Sequence, residues 1–183
     1  RIMAGAAATL KNVTLELGGK SPLIVFADAD IENAVSGAHL ANFYSAGEVC
    51  SNGTRVFVER SIMPQFLESL KTRTERIKLG DPMDPATQMG SLISEAHLNK
   101  VMGYIEKGKA EGAEVLTGGY RVTEGVPAAG HFVAPTVFAA CTDDMTVVRE
   151  ETFGPLAPIV KFTDEADVVR LSNNTEYGLA SYF

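Results

Sequence analysis

The sequence predicts an α/β fold in which helices cover both faces of a largely parallel sheet. Short aliphatic runs, typical of buried strands, alternate with segments whose apolar residues recur at the spacing of amphipathic helices. The helical segments are long enough to cross over between parallel strands. With 183 residues, of which 45% are apolar, the chain can build one full hydrophobic core.

The first elements are predicted on either side of a Gly-Gly turn. Small residues over 4–10 predict the end of a helix, and residues 13–17 predict a strand. That strand would place Glu16 where the strand meets the turn. Residues 23–26, which are rich in aliphatic side chains, predict a second strand.

A helix is predicted next, over residues 31–45, with Asp28 or Asp30 available as its N-cap. Cys50 then falls in a loop before a strand over residues 54–59. We therefore expect this thiol and the acid at the end of the first strand to approach each other across the ends of neighbouring rigid elements.

The rest of the chain is predicted to be scaffold. Ser61 and Ser94 stand where helix N-caps are expected, and the apolar stripes that follow them are interpreted as core positions. The other predicted elements are a strand over 114–117, a surface loop over 124–130, strands over 136–140 and 158–162, and a helix over 164–171.

Charge and cysteine content argue against several classes of function. The 23 acidic and 16 basic residues give a net charge of -7 with no basic block, which disfavours binding to nucleic acid or to an anionic membrane. Cys50 and Cys141 are too few and too far apart for a disulfide framework or a zinc site, and the three histidines show no ligand spacing. We expect no membrane span and a reducing, cytoplasmic setting.

Two segments carry residues suited to covalent catalysis. Glu16 lies in LELGGKSP, and Cys50 ends FYSAGEVC, 34 positions later. A thiol nucleophile and a carboxylate general base are the minimum set for oxidising an aldehyde through a thioester and then hydrolysing it. Either segment alone is weak, because Gly-Gly turns are common and a lone cysteine is more often an inert buried side chain.

A third segment, EETFGP, contains Glu151 and Phe153. Taken alone, an acidic pair before Phe-Gly-Pro predicts an ordinary turn. In this order and at this spacing, however, the three segments resemble the signature sequences of the aldehyde dehydrogenase superfamily, and the resemblance extends over all 183 residues. Residues 21–26, 49–58 and 143–151 most resemble the branch that oxidises betaine aldehyde and trimethylaminobutyraldehyde.

The resemblance implies the three-layer αβα catalytic domain of that superfamily over residues 1–183. It implies that this domain is partial, because the family's cofactor domain, its oxyanion-binding asparagine and its C-terminal segment should lie outside the chain. It also implies an aldehyde as the small-molecule partner and a homo-oligomer, a dimer or a tetramer, for the complete protein.

The resemblance further implies the catalytic roles. Cys50 would attack the aldehyde carbon, with its own backbone N–H among the groups that hold the oxyanion, and Glu16 would deprotonate the water that hydrolyses the thioester. Tyr44, Val49 and Ser51 would line the aldehyde pocket. Ordinary packing of these three side chains is an alternative that the sequence leaves open.

Cofactor residues are implied in the same way. NAD, with NADP as the alternative, would contact Leu17 and Gly18, while the Glu151 carboxylate would accept hydrogen bonds from two ribose hydroxyls and Phe153 would pack beside the nicotinamide. No metal site is expected from the side chains. The resemblance allows at most a potassium ion that touches the carbonyl of Leu10.

Two residues depart from the family pattern, and other functions compete. Glu48 stands where the family usually carries glutamine, and Thr152 where it usually carries isoleucine. A thiol hydrolase or acyltransferase would need a histidine in a companion motif, and none is found. A CoA-acylating aldehyde dehydrogenase typically lacks the hydrolytic glutamate. A non-catalytic scaffold that retains the fold is the remaining alternative.

Overall fold

Short aliphatic segments form a central sheet in the computed structural model, which describes residues 1–183. The elements are α1 (Ile2–Ala7), β1 (Pro22–Val25), α2 (Ile31–Phe43), a 3₁₀ turn (Tyr44–Gly47), β2 (Arg55–Glu59), α3 (Met63–Thr74), α4 (Glu95–Ala110), β3 (Glu114–Thr117), β4 (Arg121–Val122), β5 (Phe132–Val133), β6 (Thr136–Cys141), α5 (Thr146–Arg149), β7 (Leu156–Phe162) and α6 (Glu165–Asn173). None of the helices combines the length and the hydrophobicity that a membrane-spanning helix needs.

The central sheet has five strands in the order β1-β2-β7-β6-β3. Its first four strands are parallel, and β3 pairs antiparallel with β6 at one edge. The small β4 and β5 form a separate antiparallel pair. The prediction of a largely parallel sheet is confirmed, with β3 as the antiparallel exception.

Helices cover both faces of this sheet, as β2 illustrates. Successive side chains of a strand point to opposite faces, so Val56 and Val58 pack on one side while Phe57 packs on the other. The first side is covered by α2 and α3, which contribute Val35, Ala38, Phe66 and Leu70. The second is covered by α4, α5 and α6, which contribute Leu98, Val101, Ile105, Val147, Val148, Val168 and Leu171. The predicted three-layer αβα arrangement is therefore confirmed.

Two of the three expected helix caps are present. The Asp30 and Ser94 side chains each accept a hydrogen bond from a backbone N–H in the first turn of α2 and α4. The prediction for Ser61 is wrong. The Ser61 hydroxyl donates to Glu59 instead, and α3 begins later, at Met63, with proline in its first turn.

The predicted strand over residues 13–17 is also wrong. This stretch has no regular structure, and Leu15 and Leu17 are exposed. A strand needs a neighbour for its backbone groups, but the outer edge of β1 is occupied by Tyr182, whose backbone exchanges hydrogen bonds with Pro22 and Ile24. Apolar residues alone therefore did not make this segment a strand.

Candidate active site

The three segments singled out in the sequence each lead directly into a parallel strand. The Gly-Gly turn precedes β1, the Cys50 loop precedes β2, and the segment that contains Glu151 precedes β7. Because β1, β2 and β7 are adjacent and parallel, their amino-terminal ends meet at one edge of the sheet. The topology thus brings together three segments that are distant in sequence.

Glycines allow these segments to touch through their backbones. A β-carbon on Gly19 would overlap the carbonyl oxygen of Cys50, and one on Gly18 would overlap the Glu151 carboxylate. Gly47 has φ 74°, and a β-carbon there would overlap the carbonyl oxygen of Gly154. Gly19 and Gly47 therefore require glycine, because a side chain there would push the backbone of the Cys50 loop away from its neighbours, whereas a side chain at Gly18 would displace the Glu151 carboxylate.

The Glu151 carboxylate is fixed from one side. Its Oε1 accepts a hydrogen bond of 3.0 Å from the backbone N–H of Gly19, whereas Oε2 accepts none from the protein. Oε2 lies against Gly18, and the side chain is only partly buried. Glu151 thus presents one carboxylate oxygen with unused capacity to accept hydrogen bonds.

Cys50 is half-buried and follows a tight backbone turn. Ser45 and Ala46 have φ 51° and 54°, in the left-handed region that non-glycine residues rarely adopt. The backbone N–H of Cys50 donates to no protein acceptor. The loop therefore offers a free donor beside the thiol.

Glu16 lies in the irregular segment before the Gly-Gly turn. Its side chain is exposed and makes no hydrogen bond within the protein. The backbone two and three residues later contacts Glu151 and the Cys50 loop. The structure thus brings this segment to the Cys50 loop without tying the Glu16 carboxylate to Cys50.

The three proposed pocket residues separate in the structure. Tyr44, 64% exposed, and Val49 line a mainly apolar cavity of about 710 Å³ between β1, α2 and residues 182–183. Ser51 is not part of this lining, and its carbonyl accepts a hydrogen bond from the Tyr182 hydroxyl at 2.9 Å. The cavity thus begins beside the Cys50 loop, but Cys50 itself is not among the residues that line it.

The remaining proposed contacts lie at the surface. Leu17 is 63% exposed, and Phe153 is partly buried with φ 53°. Leu10 is 92% exposed, also with a left-handed backbone. No group of three or more histidine, cysteine, aspartate or glutamate residues could hold a metal ion.

His97 joins this region although its sequence context gave no reason to select it. Its Nε2 lies 2.7 Å from the carbonyl oxygen of Phe153 and 3.2 Å from Oε1 of Glu48. Burial raises the pKa of the Glu48 carboxyl, and the nearby His97 opposes this shift. The only sequence signal for this contact was its other partner, Glu48, which departs from the family pattern.

Two buried basic side chains, Lys20 and Arg55, underlie the site, and neither was predicted from the sequence. Lys20 is almost fully buried and its Nζ has no hydrogen-bond partner. Burial, aided by repulsion from Arg55, lowers the pKa of Lys20 to about 7, against the attraction of Glu151. Arg55 donates to three carbonyls, those of Lys20, Leu171 and Ser172, at 2.7, 3.2 and 2.9 Å. A lysine directly after a Gly-Gly turn and an arginine opening an aliphatic strand were the available signals.

The comparisons with known proteins agree with this arrangement. The sequence profile described as the aldehyde dehydrogenase family matches residues 1–183, the whole of this chain. The chain belongs to the aldehyde dehydrogenase family. The resemblance inferred from the three segments is therefore confirmed.

Curated relatives and solved structures of the aldehyde dehydrogenase family extend the match. Betaine aldehyde dehydrogenases from Sinorhizobium fredii and Agrobacterium fabrum are each 58% identical, over 99% and 98% of the chain and 37% and 36% of their own length. A Staphylococcus aureus betaine aldehyde dehydrogenase in complex with NAD+ superposes with a TM-score of 0.94 at 43% identity. An NAD+ complex of a Bacillus cereus aldehyde dehydrogenase gives 0.92 at 46% identity.

Both structural matches cover 98% of this chain and 36% of the solved one. The chain thus spans a little over a third of the length of the curated relatives it matches.

Proposed function

We propose that this chain is the catalytic domain of a longer enzyme that oxidises an aldehyde to a carboxylic acid with NAD+ as the acceptor, that betaine aldehyde is its preferred substrate, and that the 183-residue chain alone does not turn over. The observation that carries the proposal is the convergence of the Gly-Gly turn, the Cys50 loop and Glu151 at one edge of the sheet. The names of the betaine aldehyde dehydrogenases that are 58% identical support the choice of substrate.

In this proposal Cys50 is the nucleophile. As a thiolate it attacks the aldehyde carbon, and a carbon–sulfur bond forms while the carbonyl oxygen becomes an oxyanion. The unpaired backbone N–H of Cys50 is one donor to that oxyanion. After the hydride has left the substrate carbon, a thioester remains on Cys50.

The cofactor residues on this chain are assigned as Leu17, Gly18, Glu151 and Phe153. The free Oε2 of Glu151 suits acceptance from ribose hydroxyls, because Oε1 is already held by Gly19. The partly exposed Phe153, two residues after Glu151, and the exposed Leu17, next to Gly18, offer apolar side chains for the cofactor. When bound, NAD+ supplies the hydride acceptor. The NAD+ complexes among the structural relatives support this choice over NADP.

Glu16 is assigned to thioester hydrolysis. A carboxylate that takes a proton from water makes the water nucleophilic, and the acyl group then passes from Cys50 to that water. The exposed, unpaired position of Glu16 in an irregular segment is compatible with a base that approaches the thioester through water.

Tyr44 is the residue we assign to the charged end of the substrate. Its ring is 64% exposed beside the cavity that starts at the Cys50 loop. An aromatic face attracts a trimethylammonium group by about 0.5–2 kcal/mol.

Cytoplasmic location and a homo-oligomeric complete protein remain predictions.

One assay tests the proposal against its alternatives. NADH formation from betaine aldehyde is measured with and without CoA, in the complete enzyme that carries this sequence. We expect turnover without CoA and a higher kcat/KM for betaine aldehyde than for a neutral aldehyde of equal length. A strict requirement for CoA would indicate the acylating class instead. Absence of NADH with every aldehyde, in a folded protein, would indicate a scaffold.

A further inference from the structure

His97 links two segments that sequence places far apart. It lies in the first turn of α4, where its backbone N–H is fixed by the Ser94 hydroxyl at 3.2 Å. From there its imidazole reaches the carbonyl of Phe153, which is 56 positions away, at 2.7 Å. The His97 and Phe153 rings also meet edge to face, with centroids 6.2 Å apart.

The chemistry of the contact fixes the direction of the hydrogen bond. A backbone carbonyl only accepts, so Nε2 of His97 must carry the hydrogen that is donated to Phe153. Phe153 has φ 53°, a left-handed conformation that an aromatic residue keeps only when its surroundings hold it. The hydrogen bond from His97 is one such restraint.

Glu48 approaches the same imidazole from the nucleophile's side. Its Oε1 is 3.2 Å from Nε2 of His97, and both side chains are largely buried, 22% and 14% exposed. Oε1 nevertheless has no aligned hydrogen bond, because the Nε2 hydrogen points at Phe153. The contact with Glu48 is therefore electrostatic, and the nearby His97 opposes the rise that burial causes in the pKa of this carboxyl.

The Cys50 loop and the segment that contains Phe153 are in close backbone contact at this point. Gly47, next to Glu48, packs against the carbonyl of Gly154, next to Phe153, with no room for a β-carbon. Gly154 is in turn pressed against Val101 of α4, where a β-carbon would lie 2.6 Å from a valine methyl. Helix α4 thus supports both the backbone of this contact and the imidazole that spans it.

We infer that His97 is a positioning residue for the reaction, which holds Phe153 through its carbonyl while Glu48 orients the imidazole from the Cys50 loop. This inference rests on the proposed function, because Phe153 must pack beside the nicotinamide and Cys50 must be the nucleophile. The geometry at the hydride-transfer step then depends on His97, although His97 touches no reacting atom.

Replacement of His97 tests the inference through the hydride step. In His97→Leu the donor to Phe153 is lost, and rapid-mixing measurement of the first NADH turnover should slow by about 10²-fold, the usual result of misplacing a reacting group by about 1 Å. The alkylation rate of Cys50 should stay unchanged, because it does not depend on Phe153. His97→Gln keeps a side-chain N–H at a similar reach and should recover most of the rate.

His39→Leu is the matched control. His39 is half-buried on α2, where its ring packs on Phe43 and contacts neither loop. Equal hydride rates in His97→Leu and the parent, or no recovery in His97→Gln, would overturn the inference. If Cys50→Ser in the same assay retained NADH formation, the proposed function would fail first, so the two failures are distinguishable.

A double-mutant cycle tests the part assigned to Glu48. Glu48→Ala should slow the hydride step less than His97→Leu, and should have no further effect once His97 has been replaced. Independent, multiplicative effects of the two substitutions would show that Glu48 does not act through the imidazole. Melting temperatures of all variants identify any loss of rate that comes from unfolding.

Discussion

Cys50 and Cys141 border the same sheet but occupy opposite environments. Cys50 is half-buried in the loop before β2, where its backbone N–H is free and its carbonyl lies against Gly19. Cys141 is buried as the last residue of β6, where its Sγ lies 3.8 Å from the carbonyls of Phe138 and Ala139. Burial raises the pKa of the Cys141 thiol to about 12. Placement in the fold, rather than the thiol itself, separates a candidate nucleophile from a core side chain.

Replacing each cysteine in turn tests the comparison between Cys50 and Cys141 directly and has the largest expected effect on kcat. Cys50→Ser in the complete enzyme should lower kcat for aldehyde oxidation by on the order of 10⁴-fold or more, because the covalent route disappears. Cys141→Ser should leave kcat nearly unchanged and act only on stability. Steady-state NADH formation measures both. Retained turnover in the first variant, or loss in a folded form of the second, would reverse the assignment.

Glu16 sharpens the Cys50 side of the comparison. Glu16→Gln keeps the size of the side chain but removes the base, so steady-state turnover should fall by about 10²–10⁴-fold. A burst of NADH and an acyl group trapped on Cys50 should remain on rapid mixing. Glu151→Gln is a control for loss of a nearby carboxylate, since it should affect the hydride step instead. Normal turnover in Glu16→Gln would exclude the role of base.

Lys20 lies between the candidate site and the environment of Cys141, because its charge interacts with both Glu151 and Cys141. Its folded-state pKa of about 7 lies below the ordinary 10.5, so the folded state disfavours the charged form. The resulting loss of stability is absent above about pH 10.5, grows as the pH falls, and is complete below about pH 7. Lys20→Met should therefore raise the melting temperature relative to the parent by an amount that increases from about pH 9 to pH 7 and then levels off.

Thermal melts at several pH values check this expectation for Lys20. Lys11→Met, at an exposed lysine, is the control and should show no such pH dependence. A difference between Lys20→Met and the parent that is constant across the range would mean that the Lys20 ammonium is not penalised by burial.

The smallest expected effect concerns Glu48, the acid that distinguishes the Cys50 loop. Burial raises the pKa of the Glu48 carboxyl above the ordinary 4.5, because the folded protein disfavours the charged carboxylate. The folded state therefore carries no penalty from Glu48 below about pH 4.5 and becomes less stable as the pH rises through the raised pKa. Glu48→Gln removes the penalty and should increase the melting temperature at about pH 8 by roughly 1–3 °C, with a smaller difference towards about pH 4.5. An equal or lower melting temperature at the higher pH would show that His97 compensates the buried carboxylate fully.

The sequence predicted the parts of this molecule in which local pattern and tertiary structure agree. The aliphatic β1 and β2 and the apolar stripe of α4 follow directly from periodicity, and Asp30 and Ser94 capped as expected. The strand proposed for residues 13–17 failed, because a strand also needs a free neighbouring edge, which no local pattern reports.

The residues of the candidate site also fall into those that a local motif predicts and those that depend on tertiary packing. Cys50 and Glu151 were found because each stands in a motif, and the structure brings their segments together. His97 could not be found, because its contact with Phe153 bridges 56 positions and depends on how α4 packs. The burial of Lys20 was equally hidden, since a lysine after a turn is normally exposed.

Arg55 connects the beginning of the chain to its end. Its guanidinium holds the carbonyl that leads into β1 and, at the same time, the carbonyls of Leu171 and Ser172 in the last turn of α6. If α6 detached, a cation buried to 1% exposure would lose two of its three partners. In amide hydrogen exchange, the residues around Lys20 and the last turn of α6 should therefore open as one cooperative unit, despite about 150 intervening positions.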